Sequence, residues 1–387
     1  MYDLHVSTSC SSGNAVSGAD GEAGLPESVL HFLAFYQKAI DFAIGIGCGL
    51  AACYTSHWHA CSQGAALQQQ CLAYSAEDGM QWRNHAANPV IVNPGLADFR
   101  DPKVFYHQES ATWVMLLSAG FELRVYRSHN LIEWKYTSAI GLDVWGKTHV
   151  LECPDLFPLL SNQGKLYWVL VVSFFQTEPP RFAPVSYVVG NFDGYAFTPQ
   201  SDAALFDFGG DFYAPQSWNG YRDAPGKQVW IAWANNWAFA NHIPTYPWRG
   251  VMSLPRDLQL HERDGVNVLV QKPVSWLETY ISAESDLPVN DGRREWKLDL
   301  ATEKAHSLVL HAMDSELGSL QLIIDVSIIE IFVNQGEQVL TCQFFPEAPL
   351  NHCVCTLAGG LHLRKLQHVA YRTIFSPHAA LLLVWMR

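Results

Sequence analysis

A unit of about 52 residues recurs along the middle of this 387-residue chain. The segment Arg-Asp-Pro-Lys-Val-Phe begins at Arg100 and Glu-Cys-Pro-Asp-Leu-Phe begins at Glu152, so their prolines and phenylalanines are each 52 residues apart. Trp82 and Trp134 have the same separation of 52 residues. Repeats of roughly 50 residues with about four short strands each are typical of the blades of a β-propeller.

The composition of the repeats indicates strands rather than helices. From about Leu72 onward, short runs rich in Val, Ile, Tyr, Trp and Phe alternate with Gly, Asn, Asp and Pro, and helical periodicity is almost absent. A third copy of the unit ends at Phe197, and a fourth strand opening begins at Asp211. The sequence therefore predicts an all-β fold, with a propeller domain over residues 1–272.

Two segments depart from the repeat. After residue 272 the pattern changes to longer alternating runs, such as Leu320 to Val333, with a hairpin turn at residues 334–336. Residues 273–387 are therefore predicted to form a separate, shortened β-sandwich, and the chain length suits two domains. Residues 1–60 fit least well, because small polar residues precede an apolar stretch without a clear period, and we expect them to be irregular or poorly ordered.

The composition also disfavours several classes of partner. A formal net charge of −13 without a basic run disfavours nucleic acid and anionic lipid surfaces. The nine cysteines include no Cys-x-x-Cys pair, so we predict no disulfide framework, and His57 to Cys61 lacks a second ligand cluster for zinc. The apolar stretch from Val29 to Ala52 contains Lys38 and Asp41, and it starts too far along the chain for a signal peptide. We expect no metal, no cofactor and no membrane association.

Acidic residues occupy the openings of two adjacent repeats. The first strand of each propeller blade lines the central axis, so Arg100-Asp101 and Glu152-Cys153, at matching repeat positions, are expected to converge on one pocket. Two carboxyl groups across a sugar site are what glycoside hydrolysis requires, one of them a general acid with a raised pKa. The alternatives are that Asp101 pairs with Arg100 or caps a turn, and that Glu152 is satisfied by backbone donors.

Aromatic side chains near the repeat openings are candidates for sugar contacts, because the C–H face of a sugar packs on an aromatic ring. Tyr213 and Asp211 open the fourth repeat, as the acidic residues above open the second and third. Three tryptophans in the same part of the chain are further candidates: Trp218, Trp237 and Trp248. Packing between blades is the alternative for each tryptophan.

Six segments carry a more specific signal: FRDPKVF, LECPDLFPL, NFDG, DFYAPQSW, PTYPWRGVMSLPR and IIEIFVNQGE. In order and spacing they resemble glycoside hydrolase family 32, which contains invertases, inulinases and levanases, closely from Leu72 to Gln271 and more loosely beyond. The resemblance implies a five-bladed β-propeller, here with an incomplete first blade, followed by a β-sandwich. It implies action on terminal β-D-fructofuranosides with retention, through a covalent fructosyl-enzyme, and an extracellular location.

The resemblance also implies residue roles. Glu152 becomes the general acid/base, Asp101 a transition-state stabiliser that binds fructose hydroxyls, and Arg100 the group that orients both carboxylates. The nucleophile of the family is an Asp in an upstream Trp-Met-Asn-Asp-Pro-Asn-Gly motif, and no Asn-Asp-Pro occurs in these 387 residues, so the nucleophile is unknown. The segment around Ser12 resembles the Phe-Ser-Gly-Ser-Ala-Val of the family, which follows that motif. We therefore expect the chain to be truncated within or after the first blade, with Ser12 as a substrate contact.

Three functions follow from these observations. The first is a hydrolase of sucrose, inulin or levan, with impaired activity because the nucleophile motif is absent. The second is a fructan-binding protein without catalysis, since the walls of the pocket remain. The third is an inactive fragment that cannot close its propeller and exposes an unpaired strand edge.

Overall fold

The computed structural model describes residues 50–287, with gaps at 59–66, 76–80, 148, 176–184, 220–226, 239, 246–249 and 264. It also describes six further segments: 295–299, 306–312, 319–325, 327–345, 352–356 and 363–371. Ser12 and Trp248 lie outside the described residues. Within the range 1–60, for which irregular structure was expected, Leu50–Trp58 forms a regular strand whose residues pair one by one with Leu67–Ser75. Its buried apolar residues pack on the neighbouring sheet, which accounts for the regular structure.

The described residues are almost entirely strands and loops, so the all-β prediction is confirmed. Short 3-10 turns occur at Ala240–His242 and Ser275–Tyr280. No helix among the described residues is long and apolar enough to cross a membrane. The strands, in chain order, are β1 (Leu50–Trp58), β2 (Leu67–Ser75), β3 (Arg83–Asn84), β4 (Arg100–His107), β5 (Thr112–Ala119), β6 (Glu122–Ser128), β7 (Lys135–Ile140), β8 (Leu151–Leu160), β9 (Leu166–Phe174), β10 (Val185–Phe192), β11 (Phe197–Pro199), β12 (Ala204–Leu205), β13 (Tyr213–Ser217), β14 (Gln228–Trp233), β15 (Arg256–Arg263), β16 (Val266–Pro273), β17 (Ile281–Leu287), β18 (Glu295–Asp299), β19 (His306–Ala312), β20 (Ser319–Ile324), β21 (Ile328–Val333), β22 (Gln338–Gln343), β23 (His352–Thr356) and β24 (Leu363–Tyr371).

Four consecutive antiparallel sheets occupy the first part of the structure. Sheet I contains β1 to β3, sheet II contains β4 to β7, sheet III contains β8 to β11 with β12 beside β10, and sheet IV contains β13 to β16. Apart from β12, which pairs with β10, strands that are adjacent in sequence pair with each other within each sheet. This order matches the repeat of about four strands in the sequence, whereas the number of blades stays a prediction.

The repeat also appears in the turns before the outer strands. In sheet II the Asn130 side chain accepts hydrogen bonds from the backbone N–H groups of Ile132 and Glu133. In sheet III the Asp193 side chain accepts from two N–H groups in the same way, two and three residues further on. Such side-chain turns compete with strand pairing and end the third strand of each sheet.

The core lies between successive sheets, where three large apolar clusters each join two of them. One cluster contains Leu72 of sheet I and Met115 of sheet II, and a second contains Leu116 of sheet II and Leu170 of sheet III. A third joins Val169 of sheet III to Trp230 of sheet IV. Sheets II and III are therefore covered on both faces, which explains central strands that are apolar along their whole length.

The C-terminal part contains two further sheets. A six-stranded sheet has the order β17-β24-β19-β20-β21-β22, and β18 pairs with β23. The predicted hairpin turn is confirmed, since Asn334, Gln335 and Gly336 all have positive φ between β21 and β22. The single run predicted from Leu320 to Val333 is wrong. It divides into β20 and β21, because the backbone turns back where Asp325 N–H bonds to the carbonyl of Ile328 at 2.9 Å.

Candidate active site

Strands β4, β8 and β13 open with the same backbone geometry. In each, the register of pairing shifts at a β-bulge over the first residues, the residue before a proline has φ between 52° and 61°, and the residue before that faces the common centre. The three residue pairs are Arg100-Asp101, Glu152-Cys153 and Tyr213-Ala214. A left-handed conformation costs a residue other than glycine about 1–2 kcal/mol. Bulges next to active sites reorient side chains, and strained residues of this kind cluster at such sites. The same strained bulge in three sheets therefore indicates a functional site.

The first residues of these three pairs meet at one point. Arg100 Nη2 lies 2.8 Å from Glu152 Oε1, and Arg100 Nε donates to the same oxygen at 3.1 Å. The Tyr213 hydroxyl donates a short hydrogen bond to the other oxygen, Oε2. Glu152 is only 5% exposed and Tyr213 is fully buried. The carboxyl group of Glu152 is therefore held from both sides by residues of the two neighbouring sheets.

Asp101 lies beside this arrangement and is also buried. Its Oδ2 accepts a hydrogen bond from the backbone N–H of Cys153 at 3.0 Å, and Arg100 Nε is 3.8 Å from the same atom. The backbone N–H of Asp101 donates to Thr55 Oγ1 of sheet I at 3.1 Å. Asp101 therefore does pair with Arg100, yet the shortest contacts of that arginine go to Asp98 and Glu152.

Sheet I supplies polar support that the sequence analysis did not identify. Gln68 Oε1 accepts from Arg100 Nη1 at 3.3 Å and from the N–H of Phe99 at 2.7 Å. Gln70 accepts from Thr55 Oγ1 at 2.8 Å and donates to the carbonyl of Phe99 at 2.8 Å. The signal for them was present, because β2 contains three consecutive glutamines, residues 68–70, of which the first and the third lie on the same face of the strand.

The charges of the cluster do not cancel. Arg100 faces three carboxyl groups, from Asp98, Asp101 and Glu152. Burial raises the pKa of Glu152, Arg100 lowers it and Asp101 raises it further. Burial also raises the pKa of Asp101, against the effect of Arg100 and the Cys153 hydrogen bonds. An acid poised to hold a proton above its ordinary range is what general acid catalysis requires.

A second polar layer lies one step further along the same strands. Lys103 Nζ is 2.9 Å from Asp155 Oδ1 and 2.9 Å from the carbonyl of Ser217. Lys103 and Asp155 are also 52 residues apart in sequence, and both are buried. This ion pair joins sheets II, III and IV beneath the site.

Aromatic rings line one side of the site. The ring of Trp233 contacts Tyr213, with centroids 6.2 Å apart, and Trp237, at 5.2 Å. Phe175, which is 38% exposed, contacts Trp237 at 6.2 Å. Trp237 therefore packs beside Tyr213, and its contact with a sugar stays a prediction. Trp218 packs in a separate cluster between sheet IV and the 3-10 turn that follows it.

Asp211 is brought next to Tyr213, but protein donors already occupy its carboxylate. Oδ1 accepts from Asn236 Nδ2 at 2.9 Å and Oδ2 accepts from the N–H of Gln343 at 2.7 Å. Direct contact of Asp211 with a sugar stays a prediction. No cluster of His, Cys, Asp and Glu that could hold a metal ion occurs among the residues that the structure describes.

Comparison with known proteins gives a consistent result. The profile of the glycosyl hydrolases family 32 N-terminal domain matches residues 3–273, and that of the family 32 C-terminal domain matches residues 287–369. A levanase of Bacillus subtilis is 43% identical over 218 residues, which are 55% of this chain and 32% of the levanase. An extracellular exo-inulinase of Aspergillus ficuum is 31% identical over 400 aligned residues, covering 80% of this chain and 74% of that enzyme.

Solved structures are similar over most of the chain. The exo-inulinase of Aspergillus awamori matches with a TM-score of 0.74 at 26% identity, covering 89% of this chain and 83% of that one. A fructofuranosidase of Schwanniomyces occidentalis in complex with fructose matches with a TM-score of 0.72 at 22% identity, covering 87% of this chain and 82% of that one. Because the N-terminal family profile covers most of the sequence, this chain belongs to glycosyl hydrolases family 32.

Proposed function

We propose that this protein binds the terminal β-D-fructofuranosyl unit of sucrose, inulin or levan at the Arg100–Glu152–Tyr213 cluster. The observation that carries the proposal is the carboxyl group of Glu152, buried and held between a guanidinium and a phenol beside a second buried carboxyl. Related proteins named as levanases and exo-inulinases support this class of substrate.

Glu152 is the general acid/base in this proposal. Burial and Asp101 raise its pKa, so it can carry a proton to the glycosidic oxygen. Asp101 binds fructose hydroxyls and stabilises positive charge at the anomeric carbon, as an ionised carboxylate can in such a site. Arg100 contacts both carboxyl groups and fixes their orientation.

We further propose a retaining mechanism for the ancestral site, with impaired hydrolysis by this chain. Retention needs a carboxylate nucleophile about 5–5.5 Å from the acid. The 387 residues contain no Asn-Asp-Pro motif, which carries that nucleophile in the family that this chain resembles. Without a covalent intermediate the barrier is not divided into two smaller ones.

The order of the four sheets supports the finer fold proposal. Apart from β12, the strands of each sheet pair in chain order, and apolar clusters join each sheet to the next. We infer that these sheets are blades of a five-bladed β-propeller with an incomplete first blade, followed by a β-sandwich.

The test is fructose release from sucrose, inulin and levan by the purified protein. We expect little release, and none by Glu152→Gln. Glu133→Gln, which changes an exposed glutamate, is the matched control and should behave as the wild type. Strong release that Glu152→Gln abolishes would support the site but overturn the impaired hydrolysis. Strong release that persists in Glu152→Gln would overturn the proposed role of Glu152.

A second candidate function is fructan binding without catalysis, favoured by the absent motif together with the intact Arg100–Glu152–Tyr213 cluster. Calorimetric titration with a fructo-oligosaccharide separates it from hydrolysis. We expect Asp101→Asn to weaken binding about ten- to a hundredfold, because hydrogen bonds to a charged group contribute roughly 1.5–3 kcal/mol. Asp202→Asn, on the exposed surface, should bind as the wild type does. Equal binding by Asp101→Asn and wild type would contradict this assignment.

A further inference from the structure

Strand β22 of the C-terminal six-stranded sheet runs beside the segment that leads into β13. The N–H of Phe208 donates to the carbonyl of Val339 at 2.7 Å, and the N–H of Asp211 donates to the carbonyl of Thr341 at 3.0 Å. Asp207 and Val339 form an isolated parallel bridge. The edge of the C-terminal sheet therefore pairs with the backbone just ahead of the active-site strand.

Side chains reinforce this contact and leave no space in it. Asp207 accepts from the N–H of Thr341 at 3.0 Å and from its hydroxyl at 2.6 Å. At Gly209 an added Cβ would lie 2.1 Å from the carbonyl oxygen of Thr341. The position of residues 207–211 is therefore set by β22, with little freedom to shift.

Asp211 connects this contact to the site. Its Oδ2 accepts from the N–H of Gln343, its Oδ1 accepts from Asn236 Nδ2, and Asn236 Nδ2 also donates to the carbonyl of Gly210 at 3.0 Å. Asp211 is 4% exposed. One carboxylate thus joins β22, the start of β13 and the loop after β14 that carries the aromatic side of the site.

Tyr213 lies two residues beyond Asp211 at the bulge of β13. Its hydroxyl donates to Oε2 of Glu152. The direction of the phenol depends on the backbone at the bulge, where Ala214 has φ 52°. A shift of the Asp211 backbone would therefore move the hydroxyl away from the glutamate.

We propose that Asp211 is a positioning residue, through which the C-terminal sheet holds the Tyr213 hydroxyl against Glu152. It acts without touching substrate. The inference rests on the proposed function only in naming Glu152 as the acid; the geometry it invokes is independent of any ligand.

The charged groups around Glu152 and around Asp211 determine how the pKa of Glu152 should change when Asp211 is altered. Glu152 faces Arg100 and Asp101 from β4 and Tyr213 from β13, and the Tyr213 hydrogen bond lowers its pKa. Asp211 faces Asp207 and Cys342 besides its two donors. If the phenol moves away, the ionised carboxylate loses a donor and the pKa of Glu152 rises.

The test is a pH titration of Glu152, monitored by ¹³C NMR of labelled glutamate side chains. The resonance of Glu152 is assigned by its loss in Glu152→Gln. Tyr213→Phe should raise the midpoint by about one unit. Asp211→Asn should raise it by at least half as much, and the double variant should rise no further than Tyr213→Phe alone, because both changes remove the same hydrogen bond.

Thr341→Val is the matched control. It removes the bonds of the hydroxyl to Asp207 and Arg256 in the same interface but leaves the Gln343 bond to Asp211. Thermal stability should therefore fall while the Glu152 midpoint stays unchanged. Asn236→Ala, which removes the donor to Oδ1, serves as a second variant should Asp211→Asn fail to fold. It should raise the midpoint in the same direction.

An unchanged Glu152 midpoint in the folded variants, or a shift that adds fully to that of Tyr213→Phe, would overturn the inference. The titration needs neither substrate nor turnover. Failure of the wild type to bind fructans would instead count against the proposed function and leave this result standing.

Discussion

Two buried arginines, Arg100 at the site and Arg256 between sheet IV and the C-terminal sheet, make similar ion pairs with different consequences. Arg256 is 0% exposed, and its guanidinium bonds to Asp207 at 3.0 Å and to Glu330 at 2.6 Å. Neutral acceptors and aromatic faces complete its surroundings: Gln271, Thr341, Phe212 and Phe332. Arg256 joins the two parts of the fold and faces no solvent.

The two arginines differ in the balance of charge around them. Arg256 contacts two carboxylates, whereas Arg100 contacts three, and the Arg100 side chain is 12% exposed. A buried ion pair with every partner satisfied fixes a structure, and breaking it is costly. Both guanidinium groups face more than one carboxyl group, and burial raises the pKa of Glu330 as well as that of Glu152. The surplus of carboxyl groups is larger at Arg100, which favours a proton on one of them, as the proposed acid catalysis requires.

The largest effect is expected from Arg256→Met. Removing the guanidinium leaves Asp207 and Glu330 buried without a cation, which should cost about 3–5 kcal/mol of unfolding free energy. Urea unfolding measures this loss, with Arg263→Met as the control, because that arginine side chain is 57% exposed. The control should stay within about 0.5 kcal/mol of the wild type. A loss below about 1 kcal/mol in Arg256→Met would remove the contrast between the two arginines.

A smaller effect is expected from the same substitution at the site. Arg100→Met should cost about 1–2 kcal/mol at neutral pH, because Glu152 and Asp101 can take up protons once the guanidinium is gone. The loss should shrink near pH 4.5, and fructan binding should disappear at both pH values. Urea unfolding at the two pH values checks this, and a loss that equals that of Arg256→Met would show that the site is only a structural ion pair.

The smallest effect concerns the pH dependence of stability. The pKa of Glu152 is raised on folding, chiefly by burial, so the folded protein binds more protons than the unfolded chain above the ordinary glutamate value of about 4.5. Its contribution to stability is therefore present at lower pH and lost as the pH rises through the raised value. When the pH is raised from 4.5 to 7, Glu152→Gln should lose less stability than the wild type does. Glu133→Gln should lose as much stability as the wild type. Melting temperatures across this pH range test the direction of this dependence. A steeper fall of the melting temperature in Glu152→Gln than in the wild type would contradict it.

The sequence predicted the repeat-based features best. The spacing of 52 residues correctly placed Arg100 and Glu152 at equivalent strand openings, because a repeated backbone unit constrains both the strand and the proline that follows it. The hairpin turn at residues 334–336 was equally accessible, since Asn334 and Gly336 are residue types that adopt positive φ readily. Family membership followed from the same short motifs, and the profile matches confirm it.

Contacts between distant elements were not predictable in the same way. Glu330 stands in an apolar strand, which indicates a buried charge without naming its partner, and Arg256 lies 74 residues away. The occupied carboxylate of Asp211 depends on the N–H of Gln343, a backbone donor that carries no sequence signal. The break in the run from Leu320 to Val333 was missed because both halves share the alternation of a strand.

The most direct test of the site is a crystal structure of the protein in complex with fructose. We expect a fructose ring with hydroxyl oxygens within about 3 Å of the Asp101 carboxylate and with its anomeric oxygen at a similar distance from Glu152. Fructose bound elsewhere, with the cluster of Arg100, Glu152 and Tyr213 unchanged and free of sugar, would contradict it.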